Sequence, residues 1–249
     1  DPGVSAFNSN GFSLNGQTIN ASGYTYVAWQ WKESVSAGFD IVTYTGTGSA
    51  TTVAHSLGVA PKLIIAKNRT SGTPGWPVYH ASVGNTGALI LNSTSATDTS
   101  SAYWNNTTPT SSVFSVGTGT SVNTSAQNYV AYLFAEVTGY SKFGSYTGNG
   151  STDGPFVYLG FRPKFVMVKR TNSTGNWRMW DASRSTYNVA SASLLSNSSG
   201  AELTGSNEYF DILSNGFKLR SADSEQNASS STYVYAAFAE NPFKNSLAR

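Results

Sequence analysis

KFGSYTGNGSTDGPFVYLGFRPKFVMVKRT occupies residues 142–171, and GFDIVTYTGTGSATTVAHSLGVAPKLIIAKNRT occupies residues 38–70. The two lines share an order of features rather than one short motif. Each runs to a tyrosine (Tyr44, Tyr146), passes through Thr-Gly-X-Gly-Ser, and reaches a proline (Pro61, Pro163), with matched residues about 102 positions apart. Each then enters a short apolar run, KLIIAK or KFVMVK. Apolar runs of this length, bounded by Gly and Pro, suit strands buried on a sheet. TYTGTGS and SYTGNGS are turn segments, because Gly and Asn tolerate positive φ.

The correspondence continues beyond these lines. GWPVYHAS (75–82) meets NWRMWDAS (176–183), and SNGFSL (9–14), SSVFSV (111–116) and SNGFKL (214–219) bring Phe12, Phe114 and Phe217 into register. YVAWQWKE (26–33), YVAYLFAE (129–136) and YVYAAFAE (233–240) do the same for Tyr26, Tyr129 and Tyr233. The period is about 103 residues, too long for a solenoid unit and suited to a small β domain. The chain therefore reads as the C-terminal part of an incomplete repeat (1–37), a first full repeat (38–139) and a second full repeat with a C-terminal tail (140–249). No window shows a 3.6-residue apolar period, so the expected fold is all-β, with tandem β-sandwich repeats of jelly-roll type.

The YVAYLFAE-type segments read as the last core strand of each copy. Alternation places Val27, Trp29, Trp31 and Glu33 on one face, then Val130, Tyr132, Phe134 and Glu136, then Val234, Ala236, Phe238 and Glu240. The bulk on that face predicts that it is the core face, each large apolar group stabilising by roughly 1.5–3 kcal/mol on burial. Glu33, Glu136 and Glu240 are then structural anchors at strand ends. The missing first half of the incomplete copy is expected from an upstream segment or from another chain.

Composition narrows the function. Charged residues are 11% of the 249 positions, against roughly 25% in an average domain. The 15 basic residues form no run and the net charge is +2, which argues against nucleic acid or an anionic membrane as partner. There is no cysteine, hence no disulfide, thiolate or cysteine metal site. No apolar run approaches the ~20 residues of a membrane helix, and no signal-peptide pattern is present. A chain opening on Asp1 reads as a fragment or processed product.

Catalytic material is sparse. A glycosidase needs two carboxylates about 5–5.5 Å or 6.5–9.5 Å apart. The best pairings of the 13 acidic residues are Glu136 with Asp40 or Asp98, and Glu240 with Asp181. Strand-end anchoring is the simpler role for the glutamates. Two histidines, His55 and His80, do not furnish a metal centre or a catalytic triad. Each changes type between copies, to Val157 and Asp181, which reads as surface variation. TGNGSTDG (147–154) offers oxygens of Asn149, Ser151 and Asp153 to a hard cation, but an ordinary Gly-Asn-Asp turn is the simpler account. No catalytic residue, metal ligand or cofactor is assigned. The aromatic loops are the better candidates for recognition: Trp76 and Tyr79 in one copy, and Trp177, Arg178, Trp180 and Asp181 in the other, form a candidate surface for a glycan or receptor. Core packing or a subunit contact is the simpler role for the same rings, since alternation would put Trp76 and Val78 on one face and Tyr79 on the other.

TGTGSATTVAHSLGVAPKLIIAKNRT, the run from YVAYLFAE through KRT, and the terminal YAAFAENPFKNSLAR resemble repeats in virion-associated proteins of marine tailed phages. The resemblance covers nearly the whole chain. It implies a tail-fibre-like or other structural component without assigned activity, with Arg249 close to a natural C-terminus and a longer polypeptide before Asp1. The expectation is a non-enzymatic virion protein of a tail fibre or surface appendage, concerned with host attachment. Its partners would be other virion proteins or copies of itself, as a homo-oligomer such as a trimer, and a host surface glycan or receptor, without nucleic acid or membrane insertion. A lectin-like carbohydrate-binding module and a polysaccharide depolymerase are the alternatives.

Overall fold

The computed structural model describes residues 3–16 and 19–240. The chain divides into two compact units, residues 1–31 and 32–249.

The first unit contains a hairpin of β1 (Val4–Asn8) and β2 (Gly11–Leu14), with Asn8 opposite Gly11 across a Ser9-Asn10 turn. YVAWQWKE was expected to be a core strand, but residues 26–33 carry no strand and Tyr26 is 53% exposed. The reason lies in the later copies, where this segment runs between two neighbours and bonds to both. Those neighbours come from the first half of a repeat; among the described residues ahead of YVAWQWKE the strands are β1 and β2. A central strand takes its backbone bonds from two such neighbours. The hairpin needs only its own two strands, so it forms.

The second unit holds both full repeats. The first contains β3 (Phe39–Thr45), β4 (Thr51–Ala54), β5 (Leu63–Asn68), β6 (Pro77–His80), β7 (Gly87–Ile90), β8 (Asp98–Thr99), β9 (Val113–Val116) and β10 (Asn128–Phe134). Two single-turn helices lie among them, α1 (Ser101–Trp104) and α2 (Thr120–Asn123). The second repeat contains β11 (Ser141–Thr147), β12 (Phe156–Tyr158), β13 (Pro163–Arg170), β14 (Trp177–Asp181), β15 (Ala192–Leu195), β16 (Leu203–Thr204), β17 (Phe210–Leu213), β18 (Gly216–Leu219), α3 (Ser224–Asn227) and β19 (Thr232–Ala239).

The sheets follow one plan twice. The large sheet is ordered β3-β10-β5-β6-β7-β8 in the first repeat and β11-β19-β13-β14-β15-β16 in the second. A small sheet faces each, β4-β9 and β12-β18-β17 respectively. All pairings are antiparallel, so each repeat is a β-sandwich, six strands deep on one side. The core of the first lies between its sheets, where Val53, Phe114 and Val116 meet Ile64, Ala66, Ala131 and Leu133, with Trp104 of α1 inserted.

The core face of the last strand is the opposite of the one expected from bulk. Tyr129, Ala131, Leu133 and Ala135 point into the first sandwich, and Tyr233, Tyr235, Ala237 and Ala239 into the second. Val130 and Tyr132 lie half-buried on the outer face. Small alanines suit the core side because the opposing elements supply the bulk, Trp104 and Phe114 in one repeat and Phe210 and Phe217 in the other. The larger outer residues have a different use. Phe134 stacks on Phe39 at 4.5 Å and meets Phe238 and Phe143 of the second repeat at 5.6 and 6.3 Å.

Local polar ties repeat as well. Tyr44 stacks on Tyr129 and Tyr146 on Tyr233, each pair at 5.1 Å and 12°. The Tyr44 hydroxyl donates to the Val122 carbonyl, and that of Tyr146 to the Gln226 carbonyl. Buried Asn123 accepts from the Thr47 N–H and donates to the Ser49 and Gly117 carbonyls. Asn227 repeats this with Asn149, Ser151 and Ser221. Each asparagine thereby holds the Thr-Gly-X-Gly-Ser turn, whose Gly48 and Gly150 sit at φ +75° and +69°, as the turn reading requires.

Candidate functional site

The glutamates that end the YVAYLFAE-type segments act across repeat boundaries. Glu33 Oε1 accepts from the Ile41 N–H at 3.4 Å, and Glu136 Oε2 accepts from the Phe143 N–H at 3.4 Å. Ile41 and Phe143 hold matching places in the first strand of the following repeat. Glu240 differs: it pairs with Arg162 at 2.9 Å within its own repeat. The bonds are long and the groups are at or near the surface, so they guide the connection more than they stabilise it.

The strongest link between the repeats is a seam between the turn after β7 and one end of the second sandwich. The Trp177 indole N–H donates to the Ile90 carbonyl at 2.9 Å. Lys169 Nζ and the Gly175 N–H both donate to the Thr94 carbonyl at 2.9 Å. The Thr97 N–H donates to the Thr171 carbonyl at 2.8 Å, and Ser196 Oγ to the Leu91 carbonyl at 3.0 Å.

His80 closes the seam at its other end. Its Nδ1 accepts from the Ser82 N–H at 3.1 Å, which leaves Nε2 to carry the proton and donate to the Tyr235 carbonyl at 3.1 Å. Burial drives its pKa down to about 4, only partly opposed by the Tyr235 carbonyl. The expectation that His80 is a surface position is thus corrected: it is 1% exposed. Single-residue variation between copies misled because His80 faces a neighbour that its counterpart Asp181 does not have.

The aromatic-loop residues lie mostly inside the fold. Tyr79, Trp177, Arg178, Trp180 and Asp181 are buried, at 0–4% exposure. Trp180 stacks on Phe210 at 4.6 Å and gives its indole N–H to the Glu208 carbonyl. Tyr79 packs edge-on against Trp104 at 6.0 Å. Asp181 is held by Arg184 at 2.6 Å. Trp76 is half-buried, with Lys67 Nζ 5.4 Å from its ring centre. Core packing, the simpler of the two roles expected for these rings, is the one the fold gives to all but Trp76: Tyr79 lies in β6 and Trp177 and Trp180 in β14, both interior strands.

Arg178 instead organises a buried charge cluster. It contacts Glu208 at 2.6 Å, Glu225 at 2.8 Å and Asp223 at 3.2 Å. Ser193 Oγ also bonds Glu208, and Asn176 Nδ2 bonds both oxygens of Glu225. Burial alone would raise the Glu225 pKa, but the hydrogen bonds from Asn176 and Arg178 outweigh it and hold the carboxyl below its ordinary value. Burial likewise opposes the charge on Arg178, and its three carboxylates more than compensate. The first repeat has Pro77 where Arg178 stands, so sequence periodicity carried no signal for this cluster.

None of the carboxylate pairs named as catalytic candidates comes together as a free pair. Glu136 is turned to the Phe143 N–H, Asp40 accepts from the Ser56 N–H and Oγ at 2.7 and 2.8 Å, and Asp98 from the Tyr103 hydroxyl at 2.7 Å. Glu240 and Asp181 each hold a different arginine. In the Thr-Gly-Asn-Gly-Ser turn, Asn149 is engaged by Asn227 and Ser151, while Asp153 faces Lys218 at 2.7 Å. Among the described residues no three His, Asp or Glu cluster as metal ligands.

Aromatic rings are exposed elsewhere. On β12, an edge strand, Phe156 is 44% and Tyr158 60% exposed on one face. Lys142 Nζ lies 5.4 Å from the Tyr158 ring centre and Lys218 stands opposite Phe156 in the register. Alternation of Phe156, Val157 and Tyr158 was the available signal: Val157 is core and its neighbours therefore face away.

No curated protein and no solved structure matches the chain. The family described as "Domain of unknown function (DUF7483)" matches residues 1–242, spanning the hairpin unit and both sandwiches, and the chain belongs to that family.

Proposed function

We propose that the chain is a non-enzymatic structural segment of a phage virion, built into a tail fibre or surface appendage and serving host attachment. The observation that supports this reading is the seam. Two sandwiches on the same plan are joined by backbone-directed bonds, an aromatic cluster and a glutamate anchor, the construction expected of a protein that must hold its repeats in a fixed relation. The buried side chains of His80, Asn123, Arg178 and Asn227 are spent on internal ties. Cryo-electron microscopy of intact particles tests the reading. Density for two sandwiches of this topology on the tail or its appendages supports it, and absence of the chain from purified infectious particles refutes it.

A carbohydrate-binding role has one specific observation in its favour, the Phe156–Tyr158 face beside Lys142 and Lys218. Exposed rings stack on pyranose faces, and lysines suit acidic sugars. A glycan array of neutral and uronic-acid polysaccharides separates the readings. Binding lost on Tyr158→Ala supports recognition at this face, and no binding refutes it.

A further inference from the structure

The two sandwiches make one end-to-side contact, and the first sandwich carries a copy of the surface that receives it. In the second repeat that surface is built from Trp177 and Lys169, and the first repeat seats its own turn there: the Ile90 and Thr94 carbonyls accept from the Trp177 indole and from Lys169 Nζ. Trp177 is consequently 2% exposed. Trp76 and Lys67 are the matching residues of the first repeat. Lys67 keeps one of the two lysine bonds, to the Pro74 carbonyl at 3.0 Å, as Lys169 does to Gly175. Where Lys169 meets Thr94, Lys67 has only the Gly72 carbonyl at the 3.5 Å limit. Trp76 stays half-buried.

The inserting turn is also present a second time. In the first repeat the Ser95 N–H bonds Ser93 Oγ, and Asn92 Oδ1 accepts from the Trp76 N–H. In the second, the Gly200 N–H bonds Ser198 Oγ, and Asn197 Oδ1 accepts from the Trp177 N–H. The turn geometry is thus preserved, and residues 198–200 are exposed. Leu195 and Ser199 occupy the places of Ile90 and Thr94.

We infer that two copies of this chain associate head to tail, the 195–200 turn of one seating on the Trp76–Lys67 surface of the next. The inference rests on the internal seam and is independent of the virion reading. The new contact lacks two bonds of the internal one: Asp181, held by Arg184, replaces His80, and Leu91 stands where Ser196 gives its hydroxyl to a carbonyl of the inserted turn. A heterologous contact of this kind closes into a ring or extends as a filament, according to the rotation per step.

Sedimentation velocity on the full chain, from about 1 µM to about 1 mM, tests it. The expected result is a sedimentation coefficient that rises with concentration. Trp76→Ala removes the receiving surface and Ser199→Trp blocks the turn at an exposed position. Each weakens self-association by about 30-fold or more, as loss of a buried anchor does. An equimolar mixture of the two variants restores one contact: it forms a dimer and stops there. A wild-type chain that stays monomeric throughout overturns the inference, as does association that survives Ser199→Trp or a mixture that forms no dimer. An unchanged far-ultraviolet circular dichroism spectrum and thermal unfolding midpoint of Ser199→Trp show that the fold is retained, so its result stands even if Trp76→Ala is misfolded.

Discussion

Protonating His80 should loosen the seam, and the size of the effect follows from its surroundings. The neutral ring accepts from the Ser82 N–H and donates to the Tyr235 carbonyl, so a proton arriving at Nδ1 removes an acceptor and leaves a charge with 1% exposure. Burial depresses the folded-state pKa from 6.5 to about 4. Between those values the unfolded chain binds the proton and the folded chain does not, so stability falls as the pH falls. The contribution is complete above pH 6.5, down by about 2 kcal/mol at pH 5, and down by about 3 kcal/mol at pH 4. Carboxylates also titrate near the lower end, so the measurement is a difference. Urea unfolding of the wild type and of His80→Gln, which retains an N–H for Tyr235 but does not titrate, is followed from pH 7.5 to 4.5. The stability gap between them should shift in favour of the variant by about 2 kcal/mol from pH 7 to pH 5. Parallel pH profiles would refute the reasoning, because they would mean that the ring is either solvated or not neutral in the folded chain.

Arg178→Ala should cost about 3–5 kcal/mol in chemical denaturation, since it leaves Glu208 buried without its cation; a loss under 1 kcal/mol would contradict the burial of the cluster. Asn123→Ala and Asn227→Ala should each cost about 2–4 kcal/mol, from several buried partners left unmade, and the two costs should be similar because the sites match. Lys169 is driven down to about 8 by burial, which the charge of Glu225 opposes and that of Arg170 assists. The unfolded chain therefore binds more protons between pH 8 and pH 10.5, and stability should rise with pH across the start of that window. Lys169→Met should abolish the rise between pH 8 and pH 10 in unfolding curves.

Much of the architecture was legible in the residues because strands and turns are local. The Thr-Gly-X-Gly-Ser segments required positive φ at a glycine, and Gly48 and Gly150 have it. LIIAK of the first run lies in β5 and KFVMVK in β13, and Ser-Asn-Gly marks the same hairpin at residues 9–11 and 214–216. Matching phrases about 103 residues apart correspond to one sheet order used twice.

What the chain alone left open depended on neighbours. Alternation established that Tyr129 and Val130 face opposite ways, but which side was core depended on Trp104 and Phe114 arriving from elsewhere. YVAWQWKE has the composition of a strand and is not one, whereas its later copies are strands running between two neighbours. Trp177 and His80 are buried by the adjoining repeat, a contact that no property of their own segments announces. Sequence determines the local preference of each segment and the repetition of the plan. Tertiary structure decides which face is buried and which repeat covers which, because burial is set by whatever packs against a side chain as much as by the side chain itself.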